Sequence, residues 1–438
     1  GGMQNLSDVD SRFKSVRVNH ILRIRQIKLQ IMFRLLHILP GAVIGAVLLA
    51  ASSCTMIKDD VSDCPTGLYV RFVYDYNTQR ADMFKDHVGH VTLYVYDEQG
   101  RKVAERGESN DLSGSPFSTY GYAMHFNPSE LPAGRYRLQA VAMQRDWDAA
   151  LGTEGAKYRR TTVADGEGLM ISLDHADSFL TGTERYAVST EAPLDTLWHT
   201  LKVSAEKPCD GVAVAPMPRT QKPYSVYPLE EQYVTVTENM ATYATVSLIR
   251  DTKHLNITLR QIDNPAEVYD EDYEVWVVDD NSHFAHDNEV VRTDSLHYAP
   301  YHSWTTVYKD GSVTIEPKTG AAIAPRADDD ADGIGDTQRT AHYNMMFNRL
   351  IAGEDAEHSA RLMIRNRKSG KTVAMINLPS VLAQGRMAYE HLNYSEQEYL
   401  DREYDYSLDF LLRGDKWLYC DVVINALSWA KRLQNVEL

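Results

Sequence analysis

The chain has 438 residues, 43% of them hydrophobic and 10% aromatic, which is enough to bury a core in two or three domains and too apolar for a disordered chain. Lys and Arg total 45 against 61 Asp and Glu, a formal charge of −16, and a surface that acidic repels phosphate backbones and excludes counterion-release binding to nucleic acid. Tyrosine outnumbers phenylalanine 26 to 10, a bias toward rings that pack on a sheet and keep a hydroxyl in water, and it favours β structure.

The first 53 residues read as an export signal. Arg12, Lys14, Arg17, Arg23, Arg25, Lys28 and Arg34 form a positive run, followed by the apolar stretch Leu35 to Ala51 and by Ser52-Ser53-Cys54. The apolar stretch contains His37 and Pro40 and is short of the roughly 20 residues a spanning helix needs, so a signal fits better than a permanent membrane anchor. Met32 opens a compact signal by itself, and residues 1–31 are set aside as an extended N-terminus. Small residues before a cysteine resemble a lipobox, here with Ala51 where Leu is usual, and Cys54 is the expected lipidation site. Two or three acyl chains hold a protein at a membrane where one is marginal. Cys64, Cys209 and Cys420 remain, an odd number that allows at most one internal bridge, with no CxxC and no zinc spacing.

Residues 54–64 are a lipidated polar spacer. From Pro65 the pattern turns to strands: Leu68, Val70, Phe72 and Tyr74 alternate with Tyr69, Arg71, Val73 and Asp75. The same alternation returns at Val91-Leu93-Val95, Tyr136-Leu138-Ala140 and Leu201-Val203. Five prolines between Lys207 and Leu229 read as a connection, and the domain boundary is placed there, giving an N-terminal sandwich over 65–228 and a C-terminal one over 229–438. The second series runs through Tyr243 to Arg250, Leu255-Ile257-Leu259, Tyr273 to Val278, Val313-Ile315, His342 to Leu350, Arg361 to Ile364, Thr372 to Leu378 and Trp417 to Ile424. Cys420 falls at an inward strand position with Leu418, Val422 and Ile424, so a buried free thiol is expected. Ser395 and Glu398 form a capping box for a short helix over 396–403. Many short strands without alternating long helices predict an all-β fold of antiparallel sandwiches.

Three groups of residues are candidates for chemistry. Asp328, Asp330, Asp332, Gly333 and Asp336 have the spacing of a calcium loop, in which alternate carboxylates wrap a hard cation, although Arg339 stands where an EF-hand has Glu. The competing reading is a solvated acidic loop. His283, His286 and Glu289 could approach a metal but lack a fourth ligand nearby, which favours a polar surface loop. Trp147, Trp276 and Trp304 could stack on sugar rings, or simply pack in cores and interfaces. No G-x-S-x-G, H-E-x-x-H or phosphate-loop motif occurs, and an enzyme is not expected.

The run Ile57 to Val70, continuing through Phe72 to Asn77, closely resembles the FimB-type fimbrial anchor lipoproteins of the Bacteroidetes. Val91 to Asp97, Gly134-Arg135-Tyr136, Ser247 to Arg250 and the segment with Ile424, Asn425 and Trp429 extend the resemblance over everything after Cys54. It implies two consecutive transthyretin-like sandwiches behind a lipid anchor, exposed on the outer membrane at the base of a fimbria whose length the anchor limits. It also implies fimbrial subunits as partners, joined by strand pairing at an open sheet edge that the sequence does not identify. No cofactor is required on this reading. The rival function is a surface lipoprotein that binds glycans through Trp147 or Trp304.

Overall fold

The alternating segments form 24 strands in a computed structural model that describes residues 65–110, 116–152, 157–162, 168–174, 187–188, 192–206, 232–293, 295–309, 312–316, 337–424 and 429–434. In the first half these are β1 (Gly67–Val73), β2 (His90–Tyr96), β3 (Lys102–Ser109), β4 (Met124–Phe126), β5 (Gly134–Met143), β6 (Lys157–Thr162), β7 (Leu169–Asp174), β8 (Ala187–Val188), β9 (Leu197–Glu206), β10 (Tyr233–Val236) and β11 (Ala241–Arg250). The second half holds β12 (Lys253–Gln261), β13 (Tyr273–Asp279), β14 (His283–Phe284), β15 (Val290–Val291), β16 (Leu296–Tyr298), β17 (His302–Lys309) and β18 (Ser312–Glu316). It continues with β19 (Gln338–Phe347), β20 (Arg361–Asn366), β21 (Thr372–Asn377), β22 (Asp405–Arg413), β23 (Lys416–Ile424) and β24 (Trp429–Gln434). The fold is mostly β, as expected.

An eight-stranded sheet has the order β3-β2-β5-β9-β11-β1-β4, with β10 added on β5. A seven-stranded sheet runs β18-β17-β19-β12-β22-β23-β24, a five-stranded one β21-β20-β13-β16-β8, and a four-stranded one β15-β14-β7-β6. Each half opens in the same way. β1 pairs parallel with β11 and antiparallel with β4, while β12 pairs parallel with β22 and antiparallel with β19.

Two cores follow. Leu68, Val70, Phe72, Leu93, Leu138 and Val246 meet on the inside of the eight-stranded sheet. That sheet curls until side chains bridge its two edges: Arg106 of β3 donates to the His125 carbonyl of β4, and Tyr122 donates to Glu108 at 2.7 Å. A larger core gathers Ile257 of β12 with Val277, Tyr343, Leu362, Leu408 and Phe410. The opposite face of β2 and β5 joins this second core through Tyr94, Tyr96, Val141 and Met143, so β2 is buried along its whole length. Gly67 opens β1 at a φ of +89°, where a Cβ would lie 2.2 Å from the Phe126 carbonyl oxygen, so only glycine fits.

The boundary expected after Pro228 does not coincide with a change of sheet. β10 and β11 still belong to the sheet of β1, and after β6, β7 and β8 have left it and β9 has returned, the chain leaves it for good between Arg250 and Lys253. The halves are also stitched together, because β7 pairs with β14 and β8 pairs with β16. The proline-rich stretch lies outside the described residues. Helices are short: α1 (Phe84–His87), α2 (Trp147–Leu151), α3 (Leu378–Leu382) and α4 (Glu396–Arg402), with a 3-10 stretch over Ala383–Leu392. The expected capping of α4 is present, with Ser395 Oγ accepting from the Glu398 amide at 3.1 Å.

A buried polar chain crosses the middle of the protein. His199 of β9 meets Asp251 at 2.5 Å, Asn288 donates to Asp251 at 2.9 Å, and Arg349 donates to the Asn288 carbonyl at 3.0 Å. Arg349 then grips Asp401 with two bonds of 2.7 and 2.9 Å, and Lys253 donates to the Asp401 and Glu403 carbonyls. Burial pushes the Lys253 amine down to about 7.

Candidate docking edge

Cys54 and the acidic loop Asp328, Asp330, Asp332 and Asp336 lie outside the described residues. Cys420 is a buried free thiol on β23, as its inward position predicts, and burial pushes its pKa well up. His283 sits in β14 with its ring nitrogen 2.7 Å from Ser282 Oγ. Among the described residues no group of three or more His, Cys, Asp or Glu is arranged to hold a metal ion, so His283, His286 and Glu289 do not form one. Among them, too, no helix is long and apolar enough to cross a membrane.

Of the tryptophans considered as sugar platforms, one is buried and two are half-buried. Trp147 is 6% exposed, and the Arg160 guanidinium lies over its ring at 4.5 Å. Trp276 is half-buried on β13. Trp304 stands on the outer face of the seven-stranded sheet, stacked with His302 at 4.8 Å and His342 at 4.9 Å. Thr306 and His342 are 2.8 Å apart beside it, and burial holds the His342 pKa below its ordinary value.

The outer end of that sheet is different. Register pairs Tyr308 with Val313 and Thr306 with Ile315, so Tyr308, Val313 and Ile315 share a face with Trp304 and His342. The opposite face carries Thr305 and Ala341, both buried. β18 lies beyond that buried part and is open on both faces: Ser312 and Thr314 are exposed, and its two branched apolar residues stand on the Trp304 face. Val313 is 67% exposed and Ile315 68%. Sequence alternation locates this strand without saying which of its faces is the inner one. The register with β17 and β19 places Val313 and Ile315 on the face opposite the buried Thr305 and Ala341.

An edge strand leaves a row of backbone donors and acceptors unpaired, and proteins usually blunt such edges with charge, bulges or brevity. Most of the other described edges follow that rule. β3 carries Lys102, Glu105, Arg106 and Glu108 and a register break against β2. β24 has Lys431 and Arg432, β6 has Arg159 and Arg160, and β4, β8 and β15 have three residues or two. β21 is uncharged, but its register breaks against β20 and it buries Val373, Ala374 and Ile376. β18 is continuous in register with β17 and is neutral up to Glu316, whose carboxylate is held by Arg339 at 2.9 Å.

Several packed sheets of short strands, with few and short helices, define a mostly β class of protein. A family model described as fimbrillin-A associated anchor proteins Mfa1 and Mfa2 matches residues 61–435, and the chain belongs to this family. It is a family of anchor proteins rather than enzymes. Among solved structures, a protein of Bacteroides thetaiotaomicron described as a candidate polysaccharide-binding protein is 26% identical, with a TM-score of 0.55 over 84% of this chain and 99% of that one. A candidate adhesin from the same organism is 21% identical, with a TM-score of 0.59 over 86% and 100%. One from Bacteroides ovatus is 19% identical, with a TM-score of 0.54 over 85% and 96%. The last two are likenesses of fold. No curated protein matches the chain.

Proposed function

We propose that this protein anchors the base of a fimbria to the outer membrane and limits its length, held by lipid on Cys54 and binding fimbrial subunits through a sheet edge. The observation that carries the reading is the family match over residues 61–435, which spans nearly all of the chain after the signal-like segment. The apolar run and small residues before Cys54 support the lipid step. The protein contributes a stable two-core scaffold and an edge, so its work is mechanical. Metabolic labelling with a radiolabelled fatty acid tests the lipid step: label and membrane fractionation should follow the wild-type protein and be absent from Cys54→Ala. Equal labelling of both would refute lipidation at Cys54.

Glycan binding is the second reading, and it draws on the relative described as a polysaccharide-binding candidate. The engaged rings of Trp147 and Trp304 do not favour it. Retention on immobilised polysaccharide that is lost in Trp304→Ala would revive it.

A further inference from the structure

We infer that β18 is the edge that receives the partner, and that its occupant is an extended segment of a fimbrial subunit with apolar side chains at alternate positions. This rests on the anchor reading and names the surface that would serve it. A strand laid beside β18 takes up the unpaired backbone groups, and its outward side chains fall next to Val313 and Ile315. Those two residues leave most of their apolar surface to solvent in the protein's own fold. They are 67% and 68% exposed and share the Trp304 face, on a strand whose alternate residues Ser312 and Thr314 are exposed as well.

The pattern makes sense for a surface that is covered later. Tyr308, 44% exposed and paired with Val313, widens the apolar face to a second strand. The added strand must be neutral where it meets β18, because the one charge there, Glu316, is already satisfied by Arg339. The unbroken register of the β17–β18 hairpin presents a regular template, whereas charges, bulges or shortness guard most other described edges. A fimbrial subunit is the favoured occupant because the family to which the chain belongs is defined by association with fimbrillin. A second copy of this chain and its own residues 317–336 are the competing occupants.

The test uses the full lipoprotein in detergent, wild type and the Val313→Lys/Ile315→Lys double variant, with Met375→Lys on the β21 edge as a control. Each is mixed with sheared fimbriae, and the retained subunit is measured; thermal unfolding is recorded in parallel, and a photo-crosslinking residue replaces Val313 in a separate preparation. The expected result is at least a tenfold loss of retention in the double variant alone, with its unfolding transition unmoved, and a crosslink from position 313 to the fimbrial subunit. Equal retention by wild type and the double variant overturns the assignment to β18 while leaving the anchor reading in place. A crosslink only to a second copy, or to residues 317–336, also overturns it. Failure of the wild-type protein to retain any subunit defeats the anchor reading and this assignment with it.

Discussion

Arg349 is about 1% exposed and its partner Asp401 is 3% exposed, so each charge depends on the other. Removing one side of a buried pair strands the remaining ion and typically costs about 3–5 kcal/mol. Arg349→Ala should therefore lose about that much in urea unfolding, and a loss below about 1 kcal/mol would show that the site relaxes or admits water. Asp279 offers a pH test. Burial raises its pKa to about 7, with the Asp280 amide, Arg292 and the Asp280 carboxylate as the further groups that act on it, and Glu354 and His358 lie in the same ionic cluster. The folded protein holds this proton more tightly than the unfolded chain, so the contribution is full below about pH 4 and is lost as pH rises through 7. A fall of the order of 2–4 kcal/mol across that window is expected in wild type and should be absent in Asp279→Asn. At this scale the sequence is readable where a residue sits in a local pattern, as with Cys420. It is silent on Arg349, Asp401 and Lys253, whose partners are 52 and about 150 residues away.

Among the elements, β22 shows how alternation can be present and still be passed over. Tyr406, Leu408, Phe410 and Leu412 alternate and are all buried, and the strand lies at the middle of its sheet between β12 and β23. Its parallel partner β12 lies some 150 residues earlier, so no hairpin signal accompanies it. Leu408→Ala should cost about 2–5 kcal/mol in the same urea measurement, since its side chain is wholly enclosed. The capped helix α4 is legible because its signal is local, and Ser395→Ala should cost about 1 kcal/mol. α3 and the 3-10 stretch after it are not legible, because Pro379 and Gly385 obscure any helical period there. β2 is recognisable as a strand but not as one buried on both faces, which depends on the second core behind it.

For the whole molecule, the β class and the division into two series of strands are visible in turn spacing and alternation. The crossing of β7 and β8 into sheets of the second half is not, because short strands of two to six residues acquire partners only in the assembled fold. The proposed docking edge is visible as a strand and hidden as a site, since only the assembled sheet shows that β18 ends it and leaves Val313 and Ile315 exposed. The proposed anchor has a lipid-held N-terminus and a scaffold whose open edge takes up a fimbrial subunit. Electron microscopy of cells and culture medium, comparing wild type, a gene deletion and the deletion complemented with Cys54→Ala, tests it most directly. Anchoring predicts fimbriae seated on wild-type cells and longer or shed fimbriae in both altered strains; fimbriae of unchanged length and attachment in the deletion would contradict it.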